Sequence, residues 1–552
     1  MELVQKQLGK IIQKLYSQSV EPELSRPKSE FGDYATNVAL ILAGKLGKKP
    51  HDIAEEIVAE LKSQVGLAEV TVAGPGFINL RLSDETLVKA WQIEPMQIYT
   101  DKTIIAEYSD PNPFKVLHAG HFYTSVVGDV IANLIEAAGG RVYRTNFGGD
   151  VGLHVGKTLY GIVQDLGGEL PEKMAEVAEG ERAEWLGKCY VVGTRAYEDD
   201  EKAKAQITEY NKAVYQMHAD NDHVSPLAQI YWLGREWSYD YFQAFYDRIG
   251  SHFDKFYPES ATAERGLKEV KAQIGKVFEE SDGAIVFRGE KFGLHTRVFI
   301  NREGLPTYET KDVGLSFMKY DDYKFDKSII ITGNEQKQYM EVVLKAIEQF
   351  APELALNTTH LTHGLVKLAG GVKMSSRKGN FLRAVDILDL AIKANEEQND
   401  SSDERVALGA IKYSFLRPRI GGDIIYDPKE AVSLVGNSGV YLQYAGARAC
   451  SVLRKTNYTS GDIKLDFDTL ERPLAVKLGK YHEVVNQAVQ ELLPHLVCNY
   501  LYELTQTFSH FYEHAPVIGH EREAIRLRLV AEFRDKLFAG LKLIDIIPLE
   551  EM

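Results

Sequence analysis

The chain has 552 residues, 44% of them apolar, and a formal net charge of −15 with histidine neutral. That length suits about three domains, the apolar content excludes a disordered chain, and the acidic balance excludes a nucleic-acid binder working over its whole surface while leaving room for a local basic stripe. The three cysteines, Cys189, Cys450 and Cys498, lie far apart, which excludes a disulfide framework or a multi-cysteine zinc site and fits a reducing cytosol. No apolar leader opens the chain and no apolar run has the length of a membrane span, so no membrane association is expected.

Residues 1–98 read as a small α/β domain. Leu8, Ile11, Ile12 and Leu15 share a helical face, residues 39–46 continue a second helix broken at Gly47, and Pro50 opens a third with Ile53, Ile57, Val58 and Leu61 inward. Residues 70–73, the turn Gly74-Pro75-Gly76 and residues 77–82 read as a strand pair. Phe77 and Asn79 alternate with apolar neighbours, so one of them can face solvent; taken alone, Phe77 reads as core before it reads as a solvent-facing contact.

The most informative stretch is Glu107-Tyr-Ser-Asp-Pro-Asn-Pro-Phe-Lys115-Val-Leu-His118-Ala-Gly-His121. Before it, residues 102–108 predict a short buried strand. After it, Val127, Val130, Ile131 and Leu134 recur at helical spacing until Gly139-Gly140, and residues 141–146 predict a second strand. Two histidines therefore stand at a helix mouth, where free N–H groups and the helix dipole favour phosphate. Gly120 leaves room for a nucleotide to approach the backbone. Taken alone, His118 and His121 fit a simple helix cap better than they fit nucleotide chemistry, because so short a pattern recurs by chance. The glycines of Asn146-Phe-Gly-Gly-Asp150 follow a strand, where such residues line nucleotide clefts.

From about 158 to 290 the chain is charged and helical, with residues 173–186 and 199–214 as examples. Its mixed charge reads as a solvated face, and the region as an insertion between halves of a nucleotide fold. Strand-like runs at 284–287 and 296–300 and the turn Asn301–Gly304 predict a hairpin leading to Tyr308 and Asp312, four apart and on one face if a helix has begun. A Tyr308–Asp312 hydrogen bond at a structural helix start is the plain alternative. Residues 327–332 predict a buried strand ending at the polar cluster that contains Gln336, followed by a helix to Phe350, and the run 361–368 precedes Lys373-Met-Ser-Ser376-Arg-Lys-Gly-Asn380, basic and hydroxyl-rich.

Residues 399–552 read as an all-helical bundle, with 3.6-residue periodicity over 441–453, 474–493, 500–511 and 521–544. Arg522, Arg526, Arg528, Arg534, Lys536 and Lys542 decorate the last helix. Tyr441, Gln443 and Tyr444 near Arg448 combine aromatic and basic groups that suit unpaired bases. An ordinary bundle with a charged outer face is the alternative.

Taken in order, His118-Ala-Gly-His121 and Lys373-Met-Ser-Ser376 resemble the HIGH and KMSKS signatures of class I aminoacyl-tRNA synthetases. With AGPGFINL, EYSDPNPFKVLHAGH, TYETKD, TGNEQKQY, NSGVYLQYAGARACSVLRK and FRDKLFAGLKLIDI, the resemblance is to the arginyl-tRNA synthetases along nearly the whole chain. It implies an α/β fold: a Rossmann-like catalytic domain over 99–398 with the insertion at about 158–290, a small N-terminal α/β domain over 1–98 that contacts tRNA, and a helical anticodon-binding domain over 399–552. The implied reaction is ATP-dependent activation of L-arginine and its transfer to the terminal ribose of tRNA(Arg), with Mg²⁺ accompanying ATP and no metal held by the protein. A cytoplasmic monomer is implied, and a non-catalytic tRNA-binding descendant is the alternative.

The resemblance also assigns residues. ATP falls to His118, Gly120, His121, Lys373, Met374, Ser375, Ser376, Arg377 and Lys378. Glu107, Tyr308 and Asp312 take the arginine guanidinium, and Asn112 and Gln336 its α-groups. For tRNA it points to Phe77 and Asn79, and to Tyr441, Gln443, Tyr444 and Arg448. Two positions depart from the family: Val151 replaces a usual tryptophan, and Ser376 replaces the second lysine of KMSKS. Lys115, just before the first signature, stands where the family is thought to supply the missing charge. Physically the set is coherent, because activation needs aligned donors for charge on the triphosphate, and a guanidinium needs carboxylates and an aromatic wall.

Overall fold

The computed structural model describes residues 2–62, 64, 66–370, 382–456, 458–459 and 465–552. Its centre is a five-stranded parallel sheet of Thr103–Glu107 (β1), Arg141–Gly148 (β2), Lys255–Pro258 (β3), Lys327–Gly333 (β4) and Thr358–His363 (β5), in the order β5-β4-β1-β2-β3. Ile105 pairs with Tyr143 on one side and Ser328 on the other. The strands are short runs such as TIIAE and SIII, buried on both faces as parallel strands between helical layers must be. The chain runs outward from β1 through β2 to β3 and then crosses back to β4 on the other side of β1, so the strand order reverses between β1 and β4. The crevice at the carboxyl ends of β1 and β4 is therefore where this sheet type takes ligands.

Helix α1, Ala119–Ala137, is buried almost all round. It lies between the sheet and the C-terminal helices, so its apolar surface has two partners. The N-terminal domain packs the helices Glu2–Tyr16, Val38–Leu46 and Pro50–Leu61 against an antiparallel sheet in which Phe77–Leu82 runs between Tyr34–Thr36 and Leu67–Ala73. The C-terminal helices include Glu404–Leu416, Gly439–Lys455, His495–His514 and Glu523–Leu543.

Four expectations need correction. The short segment Lys255–Pro258, inside the expected 158–290 insertion, pairs with β2 and is an edge strand of the central sheet. Residues 173–186 are not one helix: two 3-10 turns, Pro171–Glu176 and Glu179–Glu181, precede the α-helix Arg182–Asp199, with Val177 and Ala178 extended between them. The region after 399 is not all helical, since Ile424–Tyr426 pairs in parallel with Val366–Leu368. The expected helix over 474–493 is two, Arg472–Leu478 and Tyr481–Glu491, parted at Gly479 and Lys480. The helices Leu153–Leu166, Arg182–Asp199, Glu201–Asp220 and Pro226–Ile249 build a core of their own around Val155, Leu159, Ile162 and Tyr231. Val151 belongs to that core and is fully buried.

Candidate active site

The loop from β1 to α1 is held in an unusual shape. Ser109, Asp110 and Phe114 have positive φ (74°, 49° and 68°), a conformation that costs a non-glycine residue on the order of 1 kcal/mol or more and persists only under outside constraint. The constraints are visible. Phe147 N–H donates to Asp110 Oδ1 at 2.7 Å, Phe114 N–H to Ser238 Oγ at 2.9 Å, and Tyr108 OH to Asp129 Oδ1 at 2.5 Å. The Phe114 ring is buried against Tyr231.

At the end of this loop, His118 is the N-cap of α1. Its Nδ1 accepts the backbone N–H of Gly120 at 3.1 Å and of His121 at 3.4 Å, while His121 Nδ1 accepts the N–H of His118 at 3.1 Å. The Ala119 N–H goes to Leu382 O at 2.9 Å. The first-turn backbone donors are therefore satisfied within the protein. This corrects the expectation of free N–H groups for phosphate. What remains for a ligand is the helix dipole and the two imidazole edges. With both Nδ1 atoms accepting, a neutral ring carries its proton on Nε2, so each histidine presents one N–H donor. The rings stack at 3.7 Å between centroids. Gly120 is required for a reason other than the expected one: a Cβ there would stand 2.9 Å from the His118 ring.

Charge at this mouth is tuned by burial. His118 reaches solvent along one edge, but surrounding protein and the nearby Lys115 lower its imidazole to about 4. His121 is also driven well below its usual range, first by burial and then by His118 and Lys115. Lys115 itself is lowered to about 8 by burial, with Glu259 opposing, and its Nζ lies 4.7 Å from the Tyr190 ring centroid. His363, which sequence reading did not single out, braces the helix through Thr124 Oγ1 at 2.7 Å and the Gly364 carbonyl at 2.8 Å.

Beside the histidines lies a buried acidic group. Asp312 is on helix α2, Tyr308–Tyr323, and its carboxylate accepts a short hydrogen bond from Tyr339 OH, not from Tyr308. Burial lifts its carboxyl to about 8; Tyr339 opposes the rise, and Glu107 and Glu259 add to it. Asp110 is pushed well above the carboxylate range by burial and by Glu107. Glu107 is not a free acid, because Lys319 Nζ sits 2.5 Å from its Oε2 and 3.2 Å from Ser328 Oγ. Glu259 is likewise paired with Lys311 at 2.5 Å. Tyr308 is 55% exposed one turn before Asp312, with the Lys311 ammonium 5.0 Å from its ring centroid. Asn112 packs over Gly149, whose added Cβ would fall 2.1 Å from Asn112 Oδ1 and 3.1 Å from Glu259 Oε1. Gln336 is exposed on the 3-10 turn Asn334–Gln336 after β4, three residues before Tyr339.

The structure thus draws Glu107, Asp312, Tyr308, Lys115 and the histidines into one neighbourhood, linked through Glu259 and Lys115. Sequence reading missed Lys319, Glu259, Lys311, Asp110 and Tyr339. Lys319 had a weak signal, being seven residues after Asp312 and so on the same helical face. Lys373, Met374, Ser375, Ser376, Arg377 and Lys378 lie outside the described residues. The chain beyond them returns at Leu382, against Ala119.

Among the residues expected to meet tRNA, Phe77 is 42% exposed, whereas Asn79 is buried at 8% in the central strand of its sheet. Gln443 needs correction. It has no exposed surface and its amide donates to Ile547 O at 2.9 Å, joining helices instead of facing a ligand. Tyr444 and Arg448 do form an open aromatic–cation group, with the guanidinium 4.8 Å from the Tyr444 ring and 5.3 Å from Tyr512; Tyr441 OH is spent on Ser509. Arg522 and Arg526 are paired with the buried Glu471, so the last helix is less basic than its sequence suggests.

A parallel sheet split at β1 and β4, an imidazole pair at the first helix mouth and a helical C-terminal domain together define a class I aminoacyl-tRNA synthetase. Residues 84–427 match the profile of tRNA synthetases class I (R), catalytic domain; residues 2–82 match the arginyl tRNA synthetase N terminal domain, and residues 442–552 the DALR anticodon binding domain. The chain belongs to the arginyl-tRNA synthetase family, the arginine–tRNA ligases. It is similar to the arginine–tRNA ligases of Bdellovibrio bacteriovorus (30% identical, 91% of this chain and 88% of the other) and Flavobacterium psychrophilum (29%, 94% and 90%). The fold superposes on the Thermus thermophilus arginyl-tRNA synthetase with a TM-score of 0.80 at 24% identity, covering all of both chains.

Proposed function

We propose that the cleft performs both half-reactions of arginine–tRNA ligation with the residues assigned here. The observation that carries this reading is the pairing of two Nε2–H donors at the mouth of α1 with a buried acid, Asp312, that neighbours them through Lys115 and Glu259. The guanidinium of arginine binds against Asp312, with Glu107 behind it and Tyr308 as a wall. Asn112 and Gln336 take the α-groups. The arginine carboxylate then attacks the α-phosphorus of ATP in line, the bond to the β-phosphate oxygen breaks, and pyrophosphate leaves. His118 and His121 donate to the charge developing on the phosphates, and Lys115 supplies a cation beside them. In the second step a hydroxyl of the tRNA 3′-terminal ribose attacks the adenylate carbonyl and AMP departs.

Lys373, Met374, Ser375, Ser376, Arg377 and Lys378 are assigned to the triphosphate on their sequence alone, with support from Leu382, where the chain rejoins α1. Mg²⁺ enters with ATP in this reading. Phe77, Asn79, Tyr441, Tyr444 and Arg448 are assigned to tRNA, and the chain is read as a monomer of the cytoplasm. All three cysteines are buried free thiols, as suits a reducing compartment.

The test is charging of total tRNA with each of the twenty amino acids in labelled form, with ATP and Mg²⁺. Arginine alone should be charged. Charging of another amino acid would keep the class and overturn the pocket, and tRNA binding without any charging would favour a non-catalytic descendant.

A further inference from the structure

A groove between the N-terminal domain and the C-terminal helices carries charge that the reaction does not use. It encloses about 420 Å³, and its lining includes five cationic side chains against two carboxylates, in a chain whose net charge is −15. Three of the cations have partners. Arg472 holds Asp33 at 2.7 Å and Asp84 at 2.6 Å, Arg26 holds Glu483 at 2.8 Å, and Lys477 holds Glu503 at 2.6 Å. The two lining acids are engaged as well: Asp33 also accepts the Leu82 N–H at 2.8 Å, and Asp468 faces Arg526 at 3.3 Å. Arg81 and Lys480 are left without an ion pair among the described residues. Lys480 is half-buried, and its ammonium is lowered to about 8 by burial and then by Arg26 and Lys477, with Glu483 and Glu503 opposing. A cation held among cations in a partly desolvated groove is relieved by an arriving anion.

The position of Arg81 says which anion. Side chains of the strand Phe77–Leu82 alternate: Ile78, Leu80 and Leu82 enter the domain core, and Phe77, Asn79 and Arg81 share the other face. Phe77 and the groove's Arg81 therefore lie on the same face of that strand, with the buried Asn79 between them. Phe77 and Arg81 are separated by about 13 Å of strand at ~3.3 Å per residue, a distance spanned by a few nucleotides of RNA. We propose that this groove is a phosphate site in which Arg81 and Lys480 hold a backbone phosphate of tRNA close to the nucleotides that meet Phe77. The proposal rests on the tRNA-ligase reading above and adds to it a contact made jointly by two domains. Phosphate contacts of this kind fix register without reading sequence, and a site shared by two domains sets the RNA against both at once.

The test uses the full chain, with tRNA(Arg) binding measured against salt concentration for the wild type, Arg81→Gln/Lys480→Gln and Lys480→Arg. Each phosphate contact contributes about 0.7–0.9 to the slope of log K against log salt. The double variant should lose about one such unit and bind roughly tenfold more weakly at moderate salt. Lys480→Arg should keep the wild-type slope, and arginine affinity, ATP affinity and melting temperature should not move. An unchanged slope in the double variant overturns the proposal. Tripolyphosphate alone distinguishes a free anion from RNA: if it raises the melting temperature of the wild type but not of the double variant, while tRNA affinity stays the same, the groove serves a free anion and the RNA proposal fails. Wild-type charging run alongside separates the two readings. Arginine charging with an unchanged slope overturns the groove alone; no charging overturns the function and leaves the slope to judge the groove.

Discussion

His118 and His121 fix each other: His118 Nδ1 accepts the backbone N–H of His121, and His121 Nδ1 accepts the backbone N–H of His118. Each ring is thereby set in the tautomer that points an Nε2–H outward, and burial keeps His118 neutral until about pH 4. Nitrogen NMR should find both Nδ1 atoms unprotonated at pH 6 to 8. A protonated Nδ1 on either ring would contradict the arrangement.

The same pair allows cap and catalyst to be separated. Asparagine is a good N-cap, so His118→Asn should keep the helix start yet lose the donor, cutting adenylate formation by about 10²–10³-fold with little change in melting temperature. His118→Ala should lose the donor and also about 1 kcal/mol of capping. Equal activity in the wild type and His118→Asn would reduce His118 to a cap.

Lys115 is lowered to about 8 mainly by burial. It therefore loses its charge as pH rises through about 8, and a bound triphosphate, which favours the charged form, takes up a proton near that pH. ATP affinity should fall above pH 8. Lys115→Ala should flatten that dependence and slow activation by about 10²-fold while arginine affinity holds. A pH dependence that survives in the variant would place the titration elsewhere.

Much of this site was legible because its residues are neighbours in the chain. Glu107, Asn112, Lys115, His118 and His121 all fall within one loop and one helix start, and Tyr308 and Asp312 are one helical turn apart. The partners that set their charge were not legible. Lys319 reaches Glu107 from 212 positions away and Lys311 reaches Glu259 from 52, and no local pattern encodes which distant lysine returns. β3 was missed because Lys-Phe-Tyr-Pro is four residues long and lies between strongly helical segments. Gln443 was misassigned for a related reason: its neighbours Tyr441 and Tyr444 suggested a surface, but the direction of the side chain depends on Ile547, which lies 104 residues on.

Gly128 shows how far the loop depends on packing. A Cβ at this position would fall 2.1 Å from the Tyr108 ring, which is fully buried and tied through its hydroxyl to Asp129. Gly128→Ala should cost about 3 kcal/mol or more, since overpacking of this severity forces the ring or helix to move. The urea midpoint should fall, and arginine binding should weaken with it because Tyr108 begins the loop that carries Asn112. A variant of unchanged stability would mean that the ring can shift freely.

The raised carboxyl of Asp312 makes arginine recognition a proton-linked event. At about 8 it is mostly protonated at pH 7 in the protein alone, held there chiefly by burial. A guanidinium remains charged and stabilises the ionised form, so arginine binding must expel the proton. The sign follows: arginine affinity rises with pH up to about 8, by at most tenfold per unit for one proton, and then levels. Calorimetry in buffers of different ionisation enthalpy should register the release at pH 7. Asp312→Asn should reduce that release and weaken arginine by on the order of 10²-fold, the scale for losing one partner of a buried charge pair, with ATP affinity unchanged. Asp110, raised by burial and by Glu107, supplies any release that remains. Arginine affinity that does not vary between pH 6 and 8 would mean that Asp312 is already ionised before arginine arrives, and that Lys319 neutralises more of the pocket than Glu107 alone.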